Sequence, residues 1–210
     1  MQRLDPLLAQ PARVQHERAG GEVRIRQEGL HTPVIPDNEL VSIHATDPFA
    51  TPDDQRSPLR RLRGRLPAPV TLWTAGGGDT RPAGLTVSSM LVADGDPGRV
   101  AGLVDDESDL WTALETTGRF AVVPLAEGDN QLAERFAGLM PAPGGLFATG
   151  DWAHTPFGPV PRGYPWAGCR LDRAAAFGWS LLVEATVEVV EPAEPAAKPL
   201  LHHRGRYTSI

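Results

Sequence analysis

The sequence predicts an all-β fold, an antiparallel barrel with accessory helices. Three observations lead there. Short apolar stretches rich in β-branched residues recur between turn-forming clusters. The 210 residues include 22 glycines and 21 prolines, about a fifth of the chain where roughly 12% is usual. The helical segments are few, and they do not alternate with strands as a parallel sheet requires. Closing such a sheet on itself removes its exposed edges, so a barrel is preferred to an open sheet.

In chain order, residues 1–56 show no sustained period and are read as a partly extended N-terminal arm. Within it "ELVSIHAT" (39–46) could form one short strand, and the segment from Asp47 is loop. Ser57-Pro58 is a helix start, a hydroxyl cap followed by proline in the first turn, and "LRRLRGRL" follows. From residue 57 to 210 the chain is read as one barrel domain. "PVTLWTA" (69–75) and "AGLTVSSML" (83–91) are strands joined by the turn "GGGDTRP", and "RVAGLV" (99–104) is a third strand after "DGDPG". "DDESDLWTALETTG" (105–118) is a helix: acids open it, Leu110, Trp111 and Leu114 share a face, and Gly118 closes it. "RFAVVPL" (119–125) is strand and "DNQLAERFAGL" (129–139) helix, with Asp129 or Asn130 as its cap. Residues 140–165 read as a long Pro- and Gly-rich surface loop. "WAGCRLD" (166–172) and "WSLLVEATVEVV" (179–190) are strands, and "EPAEPAAKP" is a link.

The totals exclude several classes of function. Net charge is −6, which disfavours general binding to nucleic acid or anionic membrane. The acidity lies beyond residue 65: residues 1–65 hold ten basic and nine acidic side chains, and the remainder holds ten and seventeen. No stretch approaches the run of about 20 apolar residues that spans a bilayer. The first thirty residues hold no apolar run of a secretory kind, so no leader is expected. The single cysteine, Cys169, forbids an internal disulfide and points to the cytoplasm. No phosphate-binding glycine loop and no GxSxG elbow is present. Adjacent His202 and His203 are poorly disposed to chelate one ion from a strand, so no metal site is expected. Arg56, Arg60, Arg61, Arg63 and Arg65 are read as a solvated helix face.

The stretches "PVTLWTA", "AGLTVSSM", "VAGLVDDESDLWTALETTGRFAVVPLAEGDNQLAERFAG" and "PLLHHRGRY" together resemble the flavin reductase-like proteins of the FMN-binding split-barrel class, over residues 66–207. The resemblance implies a split β-barrel of Greek-key, antiparallel type with accessory helices, in a homodimer. It implies FMN as cofactor, with FAD possible, and NAD(P)H as the electron donor, and a partner oxygenase as a possible acceptor of the product. Thr86, Val87, Ser88 and Ser89 would then meet the flavin ring edge and ribityl chain, and Ser108 the phosphate at a helix N-terminus. His203 and Arg204 would contact flavin or dinucleotide. The cofactor carries the hydride chemistry, so no acid–base pair is required and no catalytic side chain is assigned. The chain departs from the family at the acids around Ser108 (Asp105, Asp106, Glu107 and Asp109), at Val123 where Asn is frequent, and at Gly178-Trp179-Ser180 where "GDH" is frequent. Two alternatives stand beside flavin reduction: a non-catalytic split-barrel ligand-binding or dimeric scaffold module, and a flavoenzyme using a deazaflavin or another donor.

Overall fold

The computed structural model describes residues 57–193 and 197–210. The arm 1–56, its strand at 39–46, the loop that follows it and Arg56 lie outside the described residues. The elements run α1 (Pro58–Gly64), β1 (Ala68–Pro69), β2 (Thr71–Gly77), β3 (Thr80–Val87), β4 (Leu91–Ala93), β5 (Arg99–Val104), α2 (Asp109–Thr117) and β6 (Arg119–Pro124). They continue with α3 (Asn130–Phe136), β7 (Trp152–Thr155), β8 (Gly158–Pro161), β9 (Trp166–Phe177), β10 (Ser180–Glu191), β11 (Leu200–His203) and β12 (Arg206–Ser209).

The Ser57 hydroxyl caps α1 by accepting the Arg60 N–H, and Gly118 closes α2 in the left-handed region at φ 64°. Asp129 stands at the cap position of α3 but does not cap it. Its carboxylate instead accepts the Ala126 N–H and the Tyr164 hydroxyl, at 2.7 and 2.6 Å. Burial and that carboxylate push the Tyr164 hydroxyl up to about 12.

Seven strands form one antiparallel sheet in the order β3-β2-β6-β9-β10-β5-β4. The sheet curls until strands remote in that order face each other. A Cβ on Gly102 of β5 would lie 2.7 Å from Trp73 Cη2 of β2. The space enclosed is filled by Trp73, Val87, Val104, Phe120, Val183 and the buried face of α2. The sheet's two edges do not pair along their length, so the barrel is split, and the β3–β4 connection bridges the opening through Ser89. On the outer side of β2 and β6 a second core forms. Leu72, Ala121 and Val123 meet Phe136 of α3, Val160 of β8 and Leu200 of β11. Alternate residues of β2 and β6 thus serve two cores, which is why these strands read as continuous apolar runs. A small sheet, β1-β11-β12, flanks this core.

Three sequence expectations need correction. The 140–165 region is not wholly loop: β7 and β8 form a hairpin, and the Thr74 hydroxyl donates to the Pro159 carbonyl at 2.7 Å. Pro159 and Pro161 hide this strand, because proline is tolerated only where a strand pairs on an edge. The 83–91 strand ends at Val87, and β4 restarts at Leu91 after the serines. Its start is earlier, at Thr80, because Gly76, Gly77 and Gly78 all take positive φ and shorten the turn. The segment 105–107 is a turn before α2 rather than its first turn.

The outer face of the β6-β9-β10-β5 wall carries a ladder of ion pairs. Arg119 and Arg170 share Glu188 at 3.1 Å each, and Arg170 and Arg99 share Asp172 at 2.6 and 3.1 Å. Arg173 pairs with Glu184. The Thr186 hydroxyl, donating to Asp172, and then the arginines hold the Asp172 carboxyl below the usual carboxylate range. A carboxylate depressed in the folded state stabilises fully above its unfolded value of about 3.9 and loses that contribution as pH falls through the folded value. Asp172→Asn should therefore lower stability at neutral pH and flatten the acid limb of a Tm-against-pH curve. An acid limb as steep as the parent's would mean that Asp172 does not contribute.

Candidate functional site

The site is built from the buried start of β2. Trp73 Nε1 donates to Thr71 Oγ1 at 3.0 Å, and Thr71 Oγ1 donates to the Val87 carbonyl at 2.7 Å. All three groups are buried, and Trp73 stacks on Phe120 at 4.7 Å between centroids. This chain of bonds sets the point at which β3 leaves the sheet. Thr71 was not singled out from the sequence. The only trace of it there is a hydroxyl spaced two residues from an inward tryptophan.

Beyond that point Ser88 is exposed, and its hydroxyl makes no hydrogen bond among the described residues. Ser89 is engaged: its Oγ accepts the Leu103 N–H at 2.9 Å and donates to the Leu103 carbonyl at 3.2 Å. That pair ties the β3–β4 connection to the end of β5. Five residues after Leu103, Ser108 caps α2. Its Oγ accepts the Trp111 N–H at 3.1 Å and donates to the Asp105 carbonyl at 2.6 Å. Ser88 and Ser89 therefore stand at the end of β5, and Ser108 follows that strand end along the chain. The N–H groups of Asp109 and Leu110 precede the first intrahelical bond of α2, but Leu110 is fully buried, so only Asp109 stands at the surface of this helix end.

Thr86 is turned elsewhere. It pairs with Leu72, and its hydroxyl donates to the Ala133 carbonyl of α3 at 2.7 Å. Val87 is buried against the barrel core. Three of the four expected hydroxyls, those of Thr86, Ser89 and Ser108, thus spend their protons on backbone carbonyls. What the segment offers a ligand is the Ser88 hydroxyl and backbone. His203 and Arg204 lie in the β11–β12 hairpin, where Arg204 takes φ 51° and its N–H donates to the Gly64 carbonyl at 2.8 Å. No hydrogen bond or ion pair among the described residues joins them to the serines. The link is through the chain: Ala68 pairs with His202 and Thr71 with Val87, a three-residue step of at most about 10 Å.

Three of the four acids around Ser108 face outward, and the fourth, Asp105, is half-buried. Asp106, Glu107 and Asp109 are exposed, and Asp105 accepts the Glu107 N–H at 2.9 Å. Val123 is fully buried in the second core. Trp179 is 84% exposed at the β9–β10 turn, not core as its type would suggest. In register it lies two residues beyond the Leu181–Val104 pair, at the barrel end that holds Ser89 and Ser108. Cys169 is fully buried, and burial followed by Glu188 pushes its thiol up to about 12. It is a packing residue, not a nucleophile.

The sequence matches the flavin reductase like domain over residues 63–210. The chain belongs to the flavin reductase-like family. Among its relatives, an NADH:FMN oxidoreductase of Rhodococcus qingshengii is 33% identical over 161 residues, covering 73% of this chain and 79% of that protein. An NADH-dependent FMN reductase of Streptomyces nodosus subsp. asukaensis is 29% identical, covering 74% of this chain and 85% of that protein. Among solved structures, an NADH:FAD oxidoreductase of Streptomyces globisporus in complex with NAD and FAD fragments superposes with TM-score 0.64 at 27% identity, covering 71% of this chain and 89% of that one. The split barrel described above is the fold of this flavin reductase-like chain.

The residues present fit a flavin. One free hydroxyl and exposed backbone stand at the end of a strand held in place by the Thr71 bonds. The N-terminus of α2 carries the positive end of the helix dipole, which suits a phosphate, and Asp106, Glu107 and Asp109 beside it are exposed to solvent.

Proposed function

We propose that this flavin reductase-like protein uses NAD(P)H to reduce FMN or FAD. Family membership and the names of its relatives support the reaction class. The observation that carries the site is the free Ser88 hydroxyl on a strand end fixed by three buried groups, beside the Ser108-capped helix. What a flavin supplies there is a two-electron acceptor for a hydride from the nicotinamide. The chain's own residues bind and orient. Backbone at Ser88 and Ser89 meets the ring edge, and Ser88 Oγ donates to it. Val87 supplies apolar wall, Thr86 anchors the strand to α3, and the α2 N-terminus at Ser108 holds the phosphate. His203 and Arg204 close the site from the small sheet, with the Arg204 guanidinium available to an anion.

The working form we propose is a cytoplasmic homodimer. Exposed Leu91 and Val92 on the edge strand β4, with Phe177 and Trp179 on the β9–β10 turn, support burial against a second copy. Delivery of reduced flavin to a partner oxygenase is supported by a 30% identical relative, the reductase subunit of a flavin-dependent monooxygenase in Mycobacterium tuberculosis.

Titration of FMN with purified protein should quench flavin fluorescence saturably. Ser88→Trp, which fills the ring edge from an exposed position, should weaken binding by at least about tenfold with Tm unchanged. Equilibrium dialysis showing neither FMN nor FAD retained would sink the proposal and leave the non-catalytic module as the reading. Flavin binding without bleaching by NADH or NADPH would point to another donor.

A further inference from the structure

We propose that α1 of one copy lies along the edge strand β4 of a second copy, and that the two copies exchange this contact about a two-fold axis. The inference rests on the homodimer reading above and names the surfaces that make the dimer. α1 places no residue in the core of its own domain. It is tied to the fold where the Gly64 carbonyl accepts the Arg204 N–H at 2.8 Å. Leu59, Leu62 and Leu66 are 73%, 57% and 60% exposed, and their spacing of three and four sets them on one face. At about 100° per residue, Arg63 and Arg60 run along one side of that face. Neither arginine makes an ion pair among the described residues.

The strand β4 offers the complement. Among the described residues it ends the seven-stranded sheet and pairs with β5 alone. Its outer edge therefore presents a row of unpaired backbone groups, which calls for a cover. Leu91 and Val92 are 71% and 65% exposed. Successive side chains of a strand point to opposite faces, so both faces of β4 lie open. The exposed acids Asp94 and Asp96 follow at once in the turn to β5. Neither makes an ion pair among the described residues.

Complementarity selects a second copy as the occupant. Both surfaces belong to every copy, and neither is matched on its own chain. A two-fold pair satisfies all of them at once and leaves none to propagate. Leucines of α1 meet Leu91 and Val92, and two arginines meet two aspartates. An anionic membrane would attract the arginines but repel Asp94 and Asp96, and the net charge of −6 opposes it further. Leu91 follows Ser88 by three residues, so the partner subunit's α1 would border the strand end assigned to the flavin.

Analytical ultracentrifugation of the full chain reads the dimer dissociation constant. Arg60→Glu with Arg63→Glu in one preparation, and Asp94→Arg with Asp96→Arg in another, should each weaken the dimer at least about tenfold. Mixed in equal amounts, the two should form a heterodimer near parental affinity, because each reversed surface then meets its opposite in both contacts. Tm checks the fold of each variant. In the unaltered protein, raising salt from about 0.05 to about 0.5 M should weaken the dimer severalfold, a measurement that decides even if a variant fails to fold. Parental affinity in both variants, with no salt dependence, would overturn the α1–β4 contact and leave a homodimer formed through another face. Weakening that mixing does not restore would place the charge effect within one chain and overturn the contact equally. A monomer at every concentration would remove the dimer and the contact together. Co-sedimentation of such a monomer with phosphatidylserine vesicles, lost in the Arg60→Glu and Arg63→Glu protein, would assign α1 to a membrane surface instead.

Discussion

Thr71→Val should lower the free energy of unfolding by about 2–4 kcal/mol, because it removes two buried hydrogen bonds at once and leaves the Trp73 N–H unpartnered. The substitution keeps the shape and removes only the hydroxyl. Trp73 Nε1 loses its acceptor, and the Val87 carbonyl loses the hydroxyl that donates to it in addition to the sheet ladder. The indole N–H cannot turn to water, since Thr71, Trp73 and Val87 are each at most 2% exposed. Urea unfolding reads the change as a shifted midpoint at constant slope. Thr71→Ser is the control: it keeps the hydroxyl and should cost about 1 kcal/mol for the lost methyl. Adding Trp73→Phe to Thr71→Val removes one stranded donor and should lose less than the two single costs summed. Strict additivity would mean that the bonds at the strand end do not act as a unit. The same variant should weaken flavin binding, because the Val87 carbonyl is the last fixed point before Ser88.

Gly102→Val should be as damaging by the opposite route, costing about 3 kcal/mol or more through overpacking. A Cβ at this position would come within 2.7 Å of Trp73 Cη2 and 2.9 Å of Cζ2. The indole has nowhere to go, with Phe120 stacked on one face and its nitrogen bonded to Thr71. Gly102 pairs with Val183 in β10, so the backbone cannot retreat without breaking the ladder. Gly102→Ala should cost less, and Trp73→Phe should recover much of that loss, since it deletes the two atoms in collision. A Gly102→Val protein with parental Tm would show that the barrel closes less tightly than described. Leu103, whose backbone holds Ser89, is the next residue, so flavin affinity should fall with stability here also.

The local elements were legible because their signals are local. Ser57-Pro58 starts α1, Gly118 ends α2, and the strand read at 99–104 is the one found. Alternation places Trp73 and Phe120 on one face and Leu72 and Ala121 on the other, but it does not say that both faces are buried against different cores. Pairings such as β2 with β6 or β5 with β10 join residues far apart in the chain, and period-two patterning identifies a face without identifying a partner. The serine-rich strand end was visible as a place. The destination of each hydroxyl was not, because a side chain that can donate and accept leaves no trace in the sequence of which carbonyl it meets. Ser89 and Ser108 therefore emerge as clamps on the backbone only once the strands are laid side by side.

The burial of Cys169 has a bearing on durability. A protein that works beside reduced flavin and dioxygen is exposed to peroxide formed where electrons leak. Oxidation of cysteine begins at the thiolate and at accessible sulfur. The one sulfhydryl in all 210 residues is fully enclosed, and its thiol is pushed up to about 12. The thiol stays protonated and out of reach, so sulfenic acid, mixed disulfides and covalent dimers have nowhere to start. The chain needs no resolving cysteine and no repair of its own thiol to survive the by-products of its chemistry.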